Sequence, residues 1–178
     1  MTHSTKLLLM SLLALIMCMQ SQARAQDVKV ANETTIYLVR HAEKELDQGD
    51  DPHLTELGKR RAVLWAQVLK HVDLDAVYST QTIRTQATAL PIADAQQLKV
   101  QNYEAMPNNV ADFASANIGK KIVMVGHSNT VPHWVNAFLG EDAYSDLSED
   151  DYSNLFIVTL SNNAKSAQRL YVPLSQPE

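Results

Sequence analysis

Arginine and histidine side chains follow two apolar segments of this chain. Residues 35–39, Thr-Ile-Tyr-Leu-Val, are followed directly by Arg40 and His41, and residues 122–125, Ile-Val-Met-Val, are followed closely by His127. Runs of apolar and β-branched residues of this length predict strands that are buried on both faces. Because ligands of open α/β sheets bind just beyond the carboxyl ends of the strands, the sequence predicts a permanent cation and two imidazoles where such folds carry out chemistry.

A third segment adds a second arginine. Residues 76–78 predict a short strand, and Arg84 lies near the first turn of the helix predicted after it. If the three strands are neighbours, Arg40, Arg84, His41 and His127 surround one concavity. Guanidinium and imidazole groups at helix N-termini bind oxyanions, phosphate above all. Each residue alone could be a satisfied loop histidine or a solvated arginine, so it is the joint placement that indicates an anion site.

The remaining elements must position these residues. Hydrophobic periodicity predicts strands at about 34–39, 76–78, 98–102, 122–125, 155–160 and 168–172, with helices at about 55–70, 80–90, 108–117 and 130–139. The alternation of strands and helices predicts a mostly parallel sheet covered on both faces. The last two strands are expected to form an antiparallel pair at one edge.

Three positions make the helix predictions more specific. Trp65 lies on the apolar stripe of the first helix and is expected in the core. Pro91 is expected to end the second helix, whose buried side would carry Ile83, Ala87 and Leu90. Gly140 follows the fourth helix in the position that glycine favours after a helix end.

The N-terminal segment has the layout of a secretory signal peptide. A short positive lead precedes an apolar run over residues 7–19, and Ala23-Arg24-Ala25 is a small-x-small cleavage pattern. The apolar run is shorter than the roughly 20 residues that span a bilayer. We therefore expect cleavage after Ala25, a polar lead-in at residues 26–33, one domain at residues 34–178, and a periplasmic or secreted protein without stable membrane insertion.

Charge and cysteine content exclude several classes of function. The only cysteine, Cys18, lies in the predicted signal peptide, so the rest of the chain has no disulfide and no cysteine-based metal site. The formal net charge of −5 becomes more negative when Lys6 and Arg24 are removed. An acidic protein is a poor nucleic-acid binder, since that affinity comes mostly from cations on phosphates. These features favour a small anionic substrate that is drawn by a local positive pocket.

Four motifs in order resemble those of the histidine phosphatase superfamily, which has a phosphoglycerate-mutase-like fold. They are Leu-Val-Arg-His-Ala-Glu at 38–43, Leu-Thr-Glu-Leu-Gly at 54–58, the stretch from Tyr-Ser-Thr to Arg-Thr-Gln-Ala-Thr-Ala at 78–89, and Val-Gly-His-Ser at 125–128. The resemblance runs from about residue 34 to residue 160. It implies a three-layer α/β/α sandwich with a mostly parallel central sheet and the site at the strand ends.

The resemblance also implies a mechanism. His41 would be the nucleophile that forms a transient phosphohistidine, which water then hydrolyses. Its imidazole must be neutral to attack, and its second nitrogen needs an acceptor, for which a backbone carbonyl is expected. Arg40, Arg84 and a partly protonated His127 would compensate the charge on the transferring group, so no metal or other cofactor is needed.

The general acid that protonates the leaving oxygen is the weakest part of the pattern. Glu104 follows the third predicted strand, where many family members carry this carboxylate, and Glu43 is the alternative. The surrounding Tyr-Glu-Ala-Met-Pro-Asn departs from the fuller pattern of the mutases. If neither residue is in place, substrates with good leaving groups are favoured, such as acyl phosphates or phosphohistidine.

Together these features predict a metal-independent phosphomonoesterase that acts on a small phosphorylated substrate, a phosphorylated sugar being one candidate. Two alternatives remain open: a non-catalytic anion-binding module of the same fold, and a zinc site built from His41, His127 and His133. The two arginines argue against zinc, because they would repel the cation.

Lys44 either extends the positive pocket or lies at the surface, and the acidic loop at 45–53 is either a lid or a solvated loop.

Overall fold

The computed structural model of the protein describes residues 33–175. The predicted signal peptide and most of the polar lead-in therefore lie outside the described residues. The strands are β1 (Thr34–Arg40), β2 (Ala76–Ser79), β3 (Val100–Asn102), β4 (Lys121–Gly126), β5 (Asn154–Leu160) and β6 (Lys165–Tyr171). The helices are α1 (Glu56–Val68), α2 (Ile83–Ala95), α3 (Val110–Ala116) and α4 (Thr130–Leu139).

The six strands form one mixed sheet in the order β3-β2-β4-β1-β5-β6. The first four in this order are parallel, whereas β5 runs antiparallel to β1, and β6 antiparallel to β5. The predicted antiparallel pair at one edge is thus confirmed. Arg40 pairs with Gly126, and Ser79 pairs with Val125. The carboxyl ends of the central strands β1, β2 and β4 therefore lie side by side.

Side chains alternate between the two faces of the sheet, and each face is covered by helices. On one face, Leu38 and Met124 belong to the cluster that contains Trp134 of α4. On the other face, Val39 and Val125 belong to the cluster with Trp65 and Ile92, which come from α1 and α2. This is the predicted three-layer sandwich, and Trp65 is fully buried as expected. Within residues 33–175, no helix is long and apolar enough to cross a membrane.

Helix α2 differs from its prediction. It continues through Pro91 to Ala95, although proline there removes one helical hydrogen bond. Ile83 and Leu90 are 40% and 53% exposed, and the buried residues are Thr85, Thr88, Ala89, Ile92 and Ala93. The prediction failed because it treated threonine as polar. These threonine hydroxyls bond to local carbonyl groups, which lets a helix face of small side chains pack on the sheet.

Helix α4 has the predicted bounds. Pro132 lies in its first turn, where its missing N–H leaves no hydrogen bond unmade. Gly140 at the C-terminal end has φ +82°, a conformation that side chains with a Cβ rarely adopt. The sharp stop at this glycine starts the long connector over residues 140–153, which returns to the strand ends.

Candidate active site

His41 lies directly after β1 and is 3% exposed. Its Nδ1 lies 2.8 Å from the carbonyl oxygen of Ala42, to which it donates as an N–H, so Nε2 keeps its lone pair. The N–H of Ala42 donates in turn to Oγ1 of Thr88 at 2.9 Å, which holds the backbone at Ala42 in place. A backbone carbonyl therefore sets the tautomer of His41, as the sequence predicted.

Burial lowers the pKa of His41 to about 3, and the charges of Arg40, His127 and Arg84 act in the same direction. The hydrogen bond to Ala42 opposes the shift without cancelling it. His41 is consequently neutral at pH 7. A neutral imidazole with one free nitrogen is the form that can attack phosphorus.

His127 follows β4 and faces His41 edge-on, with the ring centroids 5.5 Å apart. Its Nε2 lies 3.0 Å from Oγ1 of Thr80, which follows β2. Burial lowers the pKa of His127 to about 4, helped by the charges of Arg84, Arg40 and Lys44. Burial and the charges of two arginines and a lysine thus disfavour the protonated form of His127, and its partial protonation during the reaction stays a prediction.

Arg40 is held by the connector between α4 and β5. Its Nη1 donates to the carbonyl oxygens of Ser148 at 2.8 Å, Glu149 at 2.9 Å and Asp151 at 3.3 Å. Its Nη2 donates to Oε2 of Glu149 at 2.8 Å, and the guanidinium carbon lies 4.2 Å from the ring centroid of Tyr152. Among residues 33–175, the buried Nε–H of Arg40 has no hydrogen-bond acceptor. The contacts fix the guanidinium group beside His41 and leave this Nε–H unused.

Arg84 is held by the acidic loop. Its Nη1 donates to Oδ1 of Asp51 at 3.2 Å and to the carbonyl oxygen of Asp50 at 3.4 Å. Its buried Nε–H also lacks an acceptor within the described part of the chain. The carboxylate of Asp51 accepts from the N–H of Ile83 as well, at 2.9 Å. The end of the loop is thus tied to the start of α2, and a lid motion of this loop stays a prediction.

Glu43 pairs with Arg61 of α1. The Nε and Nη2 of Arg61 donate to the Glu43 carboxylate at 2.9 and 2.7 Å. The side chain of Arg61 is 7% exposed and that of Glu43 is 14% exposed. Arg61 also donates to Oγ of Ser153 at 3.3 Å. This buried, bidentate ion pair engages both carboxylate oxygens of Glu43 and favours a structural role for it.

Glu104 is exposed, and it lines a cavity of about 420 Å³ together with Thr80, Tyr103 and His127. The cavity adjoins the ring of His127 on the side of β2 and β3. A carboxylate in this cavity could donate a proton to a leaving group, and the role of Glu104 as general acid stays a prediction.

The third histidine of the zinc alternative lies elsewhere. Nε2 of His133 is 3.4 Å from Oδ1 of Asp146, and the two side chains are 43% and 58% exposed. Among residues 33–175, the structure brings together no group of three histidine, cysteine or carboxylate side chains that could hold a metal ion.

Several residues around the site had no local signal in the sequence. Glu149 lies 109 positions from Arg40, which it contacts, and nothing in its neighbours distinguishes it from the other acids of the connector. Asp51 was visible only as part of an acidic loop. Tyr152 stacks on Arg40, with its ring centroid 6.1 Å from that of His41, and aromatic residues after an acidic run have no pattern that points to a site.

The low pKa values of the two histidines predict their behaviour in a pH titration. A free imidazole titrates near 6.5, whereas the pKa of His41 is lowered to about 3 and that of His127 to about 4. Both rings should therefore stay neutral as the pH falls from 8 to 5.5. The measurement is the pH dependence of the imidazole C–H signals in the NMR spectrum, assigned with His41→Asn and His127→Asn. A midpoint near 6.5 for either ring would contradict this prediction.

Comparison with known proteins adds evidence from sequence. Residues 36–108 match the family model of the histidine phosphatase superfamily, branch 1. A segment of 71 residues is 48% identical to phosphoserine phosphatase 1 of Hydrogenobacter thermophilus, and the match covers 36% of this chain and 34% of that protein. The chain thus spans about a third of the length of this curated relative.

Solved structures share the fold at low sequence identity. A mutant phosphoserine phosphatase from Entamoeba histolytica in complex with phosphoserine has a TM-score of 0.61 at 17% identity, over 75% of this chain and 94% of that chain. The protein histidine phosphatase SixA complexed with tungstate has a TM-score of 0.62 at 18% identity, over 77% of this chain and 96% of that chain. The segment that matches the histidine phosphatase model contains Arg40, His41 and Arg84. The two solved structures share the fold of this chain over about three quarters of its length.

Proposed function

We propose that this protein is a phosphoric monoester hydrolase that works through a phosphohistidine on His41. The observation that carries the proposal is the state of His41: the ring is buried, neutral and oriented by Ala42, with Nε2 free. Arg40 and Arg84 each keep a buried Nε–H donor without an acceptor among the residues that the structure describes. A buried donor without a partner is costly, and phosphate oxygens would supply the missing acceptors.

In the proposed reaction, Arg40, Arg84 and His127 hold the phosphate group while Nε2 of His41 attacks phosphorus and the ester P–O bond breaks. The leaving oxygen takes a proton from Glu104, the proposed general acid. Water then attacks phosphorus and gives a proton to the Glu104 carboxylate, the P–N bond breaks, and inorganic phosphate leaves. Fixed positive groups around the transferring phosphoryl group supply most of the rate enhancement in such a reaction.

The proposed substrate is a small phosphomonoester. The cavity of about 420 Å³ beside His127 has the size of a small-molecule site, and relatives in sequence and in fold are phosphoserine phosphatases. Phosphoserine and phosphorylated sugars are therefore the first esters to compare. The signal-peptide pattern of residues 1–25 supports a site of action in the periplasm or outside the cell.

The test is hydrolysis of p-nitrophenyl phosphate by the purified protein after dialysis against EDTA. We expect turnover that EDTA leaves unchanged and that inorganic phosphate inhibits competitively. Binding of inorganic phosphate without any turnover would instead establish the anion-binding module. Activity that is lost in EDTA and restored by zinc would exclude the phosphohistidine scheme.

A further inference from the structure

The carboxylate of Glu149 is fixed at the rim of the site. Its Oε1 accepts from Oγ of Ser128 at 2.6 Å, and its Oε2 accepts from Nη2 of Arg40 at 2.8 Å. Ser128 directly follows His127, so the two donors come from the ends of β4 and β1. The side chain of Glu149 is nonetheless 77% exposed, which leaves acceptor capacity directed at solvent. The hydrogen bond from Ser128 and the charge of Arg40 lower the pKa of Glu149, so the group is an anion at neutral pH.

This carboxylate shares a guanidinium group with the expected phosphate. Arg40 is 2% exposed, and residues 33–175 provide no acceptor for its Nε–H. A bound phosphate and Glu149 would therefore contact the same cation through different N–H groups. Asp51 stands in the same relation to Arg84. Each arginine of the site is thus already paired with one carboxylate of the chain. A substrate with further negative charge near its phosphate would be repelled, whereas a positive group there would be attracted.

We propose that Glu149 determines substrate specificity by binding an ammonium group on the alcohol part of the substrate. The preferred substrates are then phosphomonoesters of short amino alcohols. The inference rests on the proposed function for the position of the phosphate. It adds that the Glu149 carboxylate recognises the alcohol that leaves when the ester bond breaks.

The test compares two esters of equal size, phosphoethanolamine and 2-hydroxyethyl phosphate, which differ in an ammonium and a hydroxyl group. Their Kd values are measured by titration calorimetry on the full chain carrying His41→Ala, so that neither ester is turned over. We expect the ammonium ester to bind about tenfold more tightly, as for a hydrogen bond between charged groups. Adding Glu149→Gln should remove this preference. Adding Glu141→Gln should retain it, because Glu141 is an exposed acid of the same connector without a hydrogen bond to Arg40 or Ser128.

Two results would overturn the proposal. An equal loss of affinity for both esters in Glu149→Gln would mean that Glu149 only positions Arg40, and an equal gain would mean that it only competes with phosphate. Glu149→Asp, which withdraws the carboxylate by one methylene group, provides a second variant and should weaken the preference. Because the readout is binding, a failure of the wild-type protein to hydrolyse p-nitrophenyl phosphate would end the proposed function without altering these ratios.

Discussion

Replacing His41 with alanine is expected to lower kcat/KM for p-nitrophenyl phosphate by at least about 10⁴-fold, as loss of a catalytic nucleophile does in other enzymes. Nδ1 of His41 donates its N–H to the carbonyl oxygen of Ala42, so Nε2 keeps the lone pair that attacks phosphorus. We do not expect His127 to take over the attack, since its Nε2 contacts Oγ1 of Thr80. The measurement is steady-state hydrolysis at pH 7 with enough enzyme to detect the residual rate.

The matched control is His133→Ala. His133 lies on α4 with its side chain 43% exposed and paired with Asp146, so its removal should leave kcat/KM nearly unchanged. Rapid quenching of the wild-type protein should also trap an acid-labile phosphoryl group on the peptide that contains residue 41. Phosphate on any other residue, or wild-type rates in His41→Ala, would refute the assignment of the nucleophile.

Replacing Glu43 with alanine is expected to lower the free energy of unfolding by about 3–5 kcal/mol, the usual cost of leaving one partner of a buried ion pair uncompensated. Arg61 would remain buried with its charge matched only by a hydrogen bond to Ser153. Equilibrium unfolding in urea measures the difference. The same variant should keep its kcat at temperatures where it is folded, because the contacts of Glu43 with Arg61 favour a structural role for this carboxylate over proton transfer.

Two variants complete this experiment. Glu43→Leu combined with Arg61→Leu should recover much of the lost stability, since apolar replacement of both partners of a buried pair is often neutral. Glu56→Ala removes the exposed pair with Lys59 and should have little effect. A large fall in kcat for folded Glu43→Ala would return Glu43 to the role of general acid.

The part of the site that could be predicted from sequence is the part built by strand ends. Arg40 and His127 follow apolar runs that predict buried strands, and parallel topology brings such ends together. The face of α2 was mispredicted, because Thr85 and Thr88 are buried through hydrogen bonds that a hydrophobicity pattern does not register. The partner of Arg40 was not predictable either, since Glu149 lies in a connector without secondary structure, 109 positions away in the sequence. The neutral state of His127 depends on burial, which only the assembled fold defines.

The carbonyl groups that accept hydrogen bonds from Arg40 belong to residues 148, 149 and 151, and these residues follow the last of the four motifs. A fragment that stopped at Gly140 would carry Arg40, His41, Arg84 and His127 and would lack these acceptors for its first arginine. The four motifs therefore supply the candidate reactive groups, while a connector outside the motifs holds the first arginine in position.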